Sequence, residues 1–306
     1  MKVCMWCETS WAFGRISAAI KKYSRHDIDI ISWKVPLDDF SKYDLLYIPC
    51  WFAKQIYLKY GGKTPAVTGV HGVAELFNYT TDTLRPRTTT AKHVESGRIS
   101  GELKHIFNSQ KIVGCVSREL VNLLRPQVDC ALAYTPCGVD TEFFLPIQKM
   151  PLTVLCPATP DQFRVMPHGY DAKRWFLVRE IQRQLPDIEF KFPIKRLKLD
   201  EMPAFYRQGN VILCLSQSEG GPLGPIEAGA GGAIPLSTPV GVMPELIVPG
   251  LNGGLLIDIV EDAVRILSEW KTKDLTATQY NAQETMKSRH WKKLIEAWDN
   301  FFESSL

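Results

Sequence analysis

A chain of 306 residues, 45% hydrophobic and 23% charged, has the composition of a globular protein and is long enough for one large or two ordinary domains. No apolar run approaches the ~18 residues of a membrane span, and the chain begins with a strand-like segment instead of a signal peptide. We therefore expect a cytoplasmic protein with no transmembrane segment. The net charge of +3 hides a basic bias in residues 1–150, which fits either an anionic partner or a solvated surface.

The eight cysteines do not have the spacing of a metal site. Cys4 and Cys7 have CxxC spacing, but no second pair and no histidine cluster completes a zinc site. Buried thiols usually lie in or at the end of apolar runs. Four cysteines have such positions: Cys50, Cys115, Cys156 and Cys214. We expect no metal and no cofactor.

The first half of the chain alternates strand-like and helical patterns. Apolar runs typical of strands occupy residues 1–8, 28–33, 43–49, 66–70, 111–116 and 130–134. Helical spacing occurs at residues 15–23 and 118–124. Strands that alternate with helices indicate βαβ units and a parallel sheet. Residues 80–98 are polar, basic and rich in threonine, so we expect a surface loop there.

The second half repeats this pattern after a boundary near residues 145–150. Strands are predicted at 151–156 and 188–192, and helices at 172–185 and 202–208.

The final segment has the spacing of an amphipathic helix. Its apolar residues share one face: Trp291, Leu294, Ile295, Trp298 and Phe302. A helix on a membrane surface is one interpretation. Docking of the helix on the core of the protein itself is the interpretation that we favour.

The most informative stretch begins with an apolar run at residues 211–215, which predicts a buried strand. Two glycines, Gly220 and Gly221, follow the strand and permit a tight turn or a close approach to a ligand. Pro222 suits the start of a helix over 223–230, and two more glycines would end that helix. A strand that leads through a glycine turn to a helix N-terminus forms an anion site, because amide N–H groups and the positive end of the dipole converge there.

Two carboxylates flank this predicted anion site. Glu219 lies in the turn, and Glu227 follows eight residues later, about two helical turns on. A carboxylate beside bound phosphate would repel it, whereas a carboxylate can accept hydrogen bonds from two neighbouring hydroxyls of a sugar or ribose. A sugar-containing ligand is therefore one interpretation, and a helix cap plus an exposed glutamate is the other.

These residues resemble a known signature. Glu219 and Glu227, followed by AGAGGAIP at 228–235 and GLNGG at 250–254, are similar to the donor-site signature of family 4 glycosyltransferases. Residues 116–120 and CGVDTEFFLP at 137–146 resemble a second segment of that family, VS..L and NGVDTE.F.P. Cys137 stands where the family usually has asparagine. The two matches span roughly residues 112–257.

The resemblance implies an α/β protein of the GT-B fold, in which two Rossmann-like domains face each other across a cleft. The implied division is residues 1–147 for the acceptor-side domain and 148–288 for the nucleotide-sugar domain. Residues 289–306 would form a C-terminal helix that packs back on the first domain. Glu227 would hold the nucleotide ribose, and Glu219 would contact hydroxyls of the donor sugar. Further donor contacts are implied at Ser218, Gly220, Gly221, Pro222 and Leu223.

Transfer also needs a cation, because negative charge builds on the departing diphosphate. The family uses an arginine and a lysine after the first strand of its second domain, but this chain lacks that Gly-Arg. Arg164 is the best candidate for the cation, and Lys173 or Lys195 could replace it. A surface role is open for each of them.

Two positions in the first half also match the family. His71 lies where the family often has a histidine near the reaction centre, although a histidine that only binds a loop is equally compatible. Gly14 resembles, loosely, the family's glycine-rich first loop, which contacts the donor.

Asp27 and Asp29 have the Asp-X-Asp spacing of the other large transferase fold, which binds a metal. They lie far from the donor signature, so we interpret them as solvated charge.

The sequence thus predicts a metal-independent, retaining glycosyltransferase that moves a sugar from a nucleoside diphosphate to an acceptor hydroxyl. The first half is short for this fold, which suits a large acceptor, and the basic loop at 80–98 suggests an anionic one, such as an acidic glycan, a lipid phosphate or a nucleic acid. Two alternatives stay open: a sugar-nucleotide epimerase of the same fold, and a non-catalytic subunit that binds a nucleotide-sugar.

Overall fold

The computed structural model describes residues 1–9, 12–34, 40–49, 54–55, 57–58, 62–72, 76, 98–158, 173–195 and 197–306. Cα proximity divides the chain into two compact units. Unit 1 consists of Met1–Gly138, Glu219–Gly221 and Trp291–Leu306, and unit 2 consists of Val139–Ser218 and Pro222–His290. The division at 147/148 and 288/289 stays a prediction about domains.

Within the described part of unit 1, six parallel strands form one sheet in the order β2-β1-β3-β4-β5-β6. The strands are β1 Lys2–Cys7, β2 Asp27–Ser32, β3 Leu45–Ile48, β4 Ala66–Val70, β5 Ile112–Cys115 and β6 Ala131–Tyr134. Among its helices are α1 Ala12–Tyr23, α2 Gly101–Asn108 and α3 Arg118–Leu124, together with the last helix of the chain, Trp291–Ser304. Strands buried on both faces read as continuous apolar runs, as in the fully buried β3.

In unit 2, the described residues form five parallel strands in the order β11-β10-β9-β7-β8. They are β7 Thr153–Leu155, β8 Glu189–Lys191, β9 Val211–Cys214, β10 Ile234–Ser237 and β11 Gly254–Leu255. The helices are α4 Trp175–Gln184, α5 Met202–Tyr206, α6 Leu223–Ala230, α7 Met243–Leu246, α8 Ile259–Trp270 and α9 Thr276–Lys287. Two clusters of buried apolar side chains form the core of this unit.

The predicted strands and parallel sheets are confirmed, with strand ends that differ by no more than two residues. The helix predicted at 223–230 is confirmed as α6. The sequence analysis did not identify α2, α7, α8, α9, β10 and β11. The predicted loop at 80–98 lies outside the described residues except for its last position, Arg98.

The thiols of the CxxC pair are buried in β1. Burial raises the pKa of Cys4 to about 12 and the pKa of Cys7 to about 11. Both thiols are therefore protonated at neutral pH, which disfavours the thiolate that metal binding and disulfide exchange require. Cys115, Cys156 and Cys214 are buried as expected, and Cys50 lies outside the described residues.

The last helix, α10 Trp291–Ser304, belongs to unit 1 and buries its aromatic face there. Trp298 and Phe302 are fully buried, as the spacing predicts, and Phe301 is buried beside them. Leu294 and Ile295 are only partly buried. The Trp298 indole donates a hydrogen bond from Nε1 to the Pro136 carbonyl at 2.9 Å. The helix thus docks on the core of the protein, as we expected.

Replacing Trp298 tests how much this packing contributes. We expect Trp298→Ala to lower the free energy of unfolding by about 3–5 kcal/mol, because it removes a fully buried indole. Urea denaturation followed by far-UV circular dichroism measures this loss. The exposed neighbour Lys293→Ala is the control and should shift stability by no more than about 0.5 kcal/mol. Equal effects of both variants would contradict the docking described here.

Candidate functional site

The carboxyl end of β9 carries the first candidate residues. Thr238 donates a hydrogen bond from Oγ1 to the Ser216 carbonyl at 2.7 Å, which fixes the chain two residues beyond the strand. Lys173 donates from Nζ to the Ser216 hydroxyl at 3.3 Å. The predicted cation Lys173 therefore lies at the carboxyl edge of the unit 2 sheet, where open α/β sheets bind their ligands.

Arg174 adjoins Lys173 and adopts an unusual backbone. Its φ of 52° and ψ of 52° place it in the left-handed region, immediately before α4. Its guanidinium NH1 lies 3.5 Å from the Leu215 carbonyl. A non-glycine residue in this region is uncommon and indicates that the surrounding structure holds it there. The sequence analysis did not select Arg174. Its position next to Lys173 was the only feature of the sequence that could have indicated it.

The start of α6 presents amide donors. Pro222 precedes the helix as its N-cap, with φ of −66° and ψ of 102°. The first amides of a helix have no intrahelical acceptor, and Pro225 has no N–H. The donors that the helix presents at this end are therefore the amides of Leu223 and Gly224. Gly232, with φ of +84°, ends the helix in the left-handed conformation that glycine permits.

Glu227 lies inside α6 and is only 4% exposed. Its Oε2 accepts a hydrogen bond from the Tyr206 hydroxyl at 3.0 Å. A carboxylate offers about four acceptor positions, so this bond is compatible with further donors from a ligand. The alternative of an exposed glutamate is wrong. Tyr206 was missed by the sequence analysis, because nothing in a tyrosine within a helical pattern signals a partner 21 residues away.

The turn Glu219–Gly221 belongs to unit 1. Gly220 forms an antiparallel bridge with Gly72. A Cβ on Gly220 would lie 1.9 Å from the His71 carbonyl oxygen, and a Cβ on Gly221 would lie 2.8 Å from the Cys137 sulfur. Gly220 and Gly221 are not among the described glycines that have a positive φ. Close approach of the His71 backbone therefore explains Gly220, close approach of the Cys137 side chain explains Gly221, and a positive φ explains neither.

His71 lies directly after β4, beside the turn that carries Glu219. Its Nε2 lies 2.7 Å from the Tyr47 hydroxyl, and its ring meets the Phe13 ring edge to face at 4.6 Å. Burial lowers the pKa of His71 to about 3, so the imidazole is neutral at physiological pH. The structure thus brings together Glu219, Gly220 and His71, which the sequence analysis had selected separately.

The remaining predicted residues lie elsewhere. Gly14 lies in α1, where a Cβ would come 2.1 Å from the Thr9 carbonyl oxygen, so local packing also requires glycine there. Lys195 pairs with Glu201 at 3.2 Å on the surface, which favours a structural role for this lysine. Ser218 is partly buried and is the last residue of the first segment of unit 2. Arg164 lies outside the described residues.

Two features are absent from the described ranges of the chain. No cluster of three or more His, Cys, Asp or Glu side chains there has the arrangement of a metal site. No helix there combines the length and the apolar character needed to cross a bilayer.

Residues 184–286 match the family model described as glycosyl transferases group 1. The matched range contains both Glu219 and Glu227. No curated protein sequence matches the chain.

Solved structures match the fold over most or nearly all of the chain. Sucrose-phosphate synthase from Thermosynechococcus elongatus is 13% identical and has a TM-score of 0.68, with 99% of this chain and 98% of that chain covered. Anabaena HepE in complex with UDP is 13% identical and has a TM-score of 0.66, with 99% and 100% covered. The pneumococcal O-GlcNAc transferase GtfA, in complex with UDP and GlcNAc, is 14% identical and has a TM-score of 0.59, with 85% and 56% covered.

The chain therefore has the GT-B fold, with two Rossmann-like parallel sheets, and the predicted fold class is confirmed. The group 1 match and the fold together support sugar transfer as its general activity. Membership of family 4 and a retaining mechanism stay predictions.

The close approach at Gly220 predicts intolerance of any side chain. We expect Gly220→Ala to lower the free energy of unfolding by about 1–3 kcal/mol, because the new methyl group would overlap a backbone carbonyl that cannot move independently. Urea denaturation measures the change. Gly101→Ala is the matched control, since no heavy atom lies within 4 Å of its added Cβ, and it should be neutral or slightly stabilising. A neutral Gly220→Ala would show that the turn does not contact His71 this closely.

The lowered pKa of His71 predicts a pH dependence of stability. Between pH 6.5 and about 3, the unfolded chain binds a proton at this residue that the folded chain does not bind. Stability should therefore fall on acidification, by up to about 1.4 kcal/mol per pH unit from this group. His71→Asn should remove that contribution. Urea denaturation of both proteins at pH 7.5, 6.5, 5.5 and 4.5 tests this. The stability difference between the proteins should be constant above pH 7 and change below pH 6.5; a constant difference throughout would refute it.

Proposed function

We propose that this chain is a metal-independent, retaining glycosyltransferase that moves a sugar from a nucleoside-diphosphate sugar to an acceptor hydroxyl. The observation that carries the proposal is Glu227, a buried carboxylate on the helix that follows the β9 turn. A buried charge is costly unless hydrogen bonds satisfy it. The Tyr206 hydroxyl supplies one such bond, and the two neighbouring hydroxyls of a ribose would supply others.

The diphosphate of the donor would bind at the start of α6. The amides of Leu223 and Gly224 and the positive end of the helix dipole suit an anion. The sequence analysis chose Arg164 as the cation beside the diphosphate. Among the described residues, Lys173 suits this role best, because its hydrogen bond to Ser216 holds it at the carboxyl end of β9. These groups would stabilise the charge that develops on the departing diphosphate, and loss of one such donor typically costs about 2.7–4 kcal/mol of barrier. The protein would thereby supply the stabilisation that a metal ion provides in other transferases.

Glu219 is the residue proposed to contact the donor sugar. Glu219 accepts hydrogen bonds from sugar hydroxyls in this proposal, and the backbone around Gly220 is fixed by its bridge to Gly72. His71 would lie beside the reacting sugar as a neutral imidazole. Rigid placement of these groups matters because a catalytic group contributes only when its geometry is set in advance.

Uridine nucleotides are the first donors to test, since HepE has been captured with UDP-glucose. The acceptor stays a prediction: the short first half suggests a large acceptor, and the basic residues at 80–98 suggest an anionic one. An experiment with glycan, lipid-phosphate and nucleic-acid acceptors would compare these classes directly.

Donor binding is tested by thermal stabilisation with UDP-, GDP-, ADP- and dTDP-sugars. A nucleotide at ~100 times its dissociation constant should add about 2.7 kcal/mol to the stability of the wild type. Glu227→Gln should lose most of this gain, because it replaces two strong acceptors by one amide oxygen. Tyr206→Phe is the control for the fold around Glu227, since it removes only the partner hydroxyl and should retain part of the gain. Stabilisation of Glu227→Gln equal to that of the wild type would exclude the proposed role of Glu227.

Turnover then separates the alternatives. The proposed transferase would release the nucleoside diphosphate in proportion to the sugar transferred. The product would keep the anomeric configuration of the donor, and the activity would persist in EDTA. An epimerase would convert the nucleotide-sugar without an acceptor, and a binding subunit would show stabilisation without turnover. Either of the latter results would replace the proposal.

A further inference from the structure

A cavity lies in unit 2 at the amino ends of its strands. Leu152 and Asn210 line it, and they come directly before β7 and β9. Ser216, which binds Lys173, lies beyond the other end of β9. At about 3.3 Å per residue, the six residues from Asn210 to Ser216 span roughly 20 Å of extended chain. The cavity and Lys173 are therefore at opposite edges of the same sheet.

The size of the cavity limits what it can hold. Its volume is about 120 Å³. Sites for drug-sized ligands occupy about 300–1,000 Å³, whereas an engineered cavity of about 150 Å³ holds benzene. A nucleotide-sugar is therefore too large for this cavity, and a ligand of a few heavy atoms is the right size.

The charged side chains of the lining favour an anion. They are three lysines and one carboxylate: Lys149, Lys271, Lys273 and Asp274. The carboxylate is already engaged, because its Oδ1 accepts hydrogen bonds from the amide and the hydroxyl of Thr276 at 2.9 and 2.6 Å. Three positive charges against one negative charge attract an anionic ligand.

The lysines also form ion pairs on the surface. Lys149 Nζ lies 3.9 Å from Asp274 Oδ2, and Lys271 Nζ lies 3.2 Å from Asp187 Oδ2. Both partners in each of these pairs are exposed to solvent. Exposed ion pairs contribute little to stability, so an anion in the cavity can bind these ammonium groups at small cost.

Two buried amide side chains also line the cavity: Asn210 is 4% exposed and Gln279 is 5% exposed. Asn210 Oδ1 accepts from the Thr153 amide at 2.9 Å, and one N–H of its Nδ2 donates to the Met150 carbonyl at 3.3 Å. The second N–H of Nδ2 is available to a ligand. Gln279 donates from Nε2 to the Gly232 carbonyl at 3.1 Å, which fixes the orientation of its amide. Within the described part of the chain, no group donates to Gln279 Oε1.

These amides discriminate among small oxyanions. The spare N–H of Asn210 needs an acceptor, and Gln279 Oε1 needs a donor. Hydrogen phosphate offers both, because it carries a P–OH group beside its charged oxygens at neutral pH. Sulfate has no such hydroxyl, and a phosphate monoester loses most of its own above a pKa of about 6.

We propose that this cavity is a binding site for inorganic phosphate. The lysines supply the charge, Asn210 donates to a phosphate oxygen, and Gln279 Oε1 accepts from the phosphate hydroxyl. This site goes beyond the proposed function and does not depend on it.

Calorimetric titration of the full chain with potassium phosphate tests the site, in a phosphate-free buffer at constant ionic strength. We expect saturable binding of one phosphate, about tenfold tighter than the binding of sulfate or glycerol 3-phosphate, because each of these leaves the buried Gln279 acceptor unpaired. Sulfate or the ester binding as tightly as phosphate would overturn the assignment to inorganic phosphate. Absence of phosphate binding would overturn the site itself.

Charge variants locate the bound ion. Lys149→Gln/Lys271→Gln should weaken phosphate binding about five- to tenfold, because two ammonium groups of the lining are lost. Lys198→Gln/Lys287→Gln is the matched control, since it makes the same charge change at exposed positions of unit 2 outside the lining, and it should bind as the wild type does. Equal losses in the two variants would indicate an adventitious ion only.

Two further variants complete the test. Lys173→Gln should leave phosphate binding unchanged, whereas a loss there would place the ion at the proposed donor site and overturn the proposal. Gln279→Leu should bring the preference for phosphate over sulfate close to one, because the acceptor is gone. An unchanged preference in this variant would contradict the role of Gln279. If Gln279→Leu does not fold, the wild-type comparison of phosphate with sulfate decides.

Discussion

The close approach of two backbone segments, at Gly220 and His71, is the constraint on which the candidate site depends. Any Cβ at Gly220 would overlap the His71 carbonyl oxygen. The same approach fixes Glu219 beside the end of β4 and places the turn Glu219–Gly221 in unit 1, although the residues on either side belong to unit 2. Selection for glycine at this position is therefore steric, and the chemistry of the neighbouring carboxylate depends on it.

Two buried tyrosine hydroxyl groups contact polar side chains of the candidate site. Tyr206 orients Glu227 in unit 2, and Tyr47 orients His71 in unit 1. In each case a phenol, fixed by aromatic neighbours, holds a polar group whose isolated burial would be unfavourable. The two pairs show one physical solution applied to an acidic and to a basic side chain.

The sequence predicted the features that depend on local periodicity. Helix α6 begins and ends where the proline and the glycines indicate, and the parallel strands follow the apolar runs. Strand β10 was missed because Pro235 cannot donate a ladder hydrogen bond and usually argues against an interior strand. The structure accommodates it because β11 pairs only with Leu236 and Ser237, so the proline lies beyond the end of that neighbour.

The sequence predicted those residues of the site that belong to a recognisable spacing pattern. Glu219 and Glu227 could be selected from their separation and the glycines between the strand and the helix, whereas Tyr47 and Tyr206 could not. Hydrogen-bond partners 24 and 21 residues away are set by tertiary packing, which leaves no trace in local pattern. The sequence likewise left the reason for Gly220 open between a tight turn and close approach to a ligand, since a glycine required for close approach and one required for turning look identical in a sequence.

The position of α10 has a consequence for biosynthesis. This helix covers Tyr47 in unit 1, yet the residues of unit 2 lie between the first sheet and the helix in the chain. At elongation rates of about 5–20 residues per second, the first sheet waits roughly 10–30 seconds on the ribosome before its last helix is synthesised. During that interval its apolar surface lacks its aromatic cover. The nascent chain therefore has a period of vulnerability to aggregation that ends only when residues 291–304 have emerged.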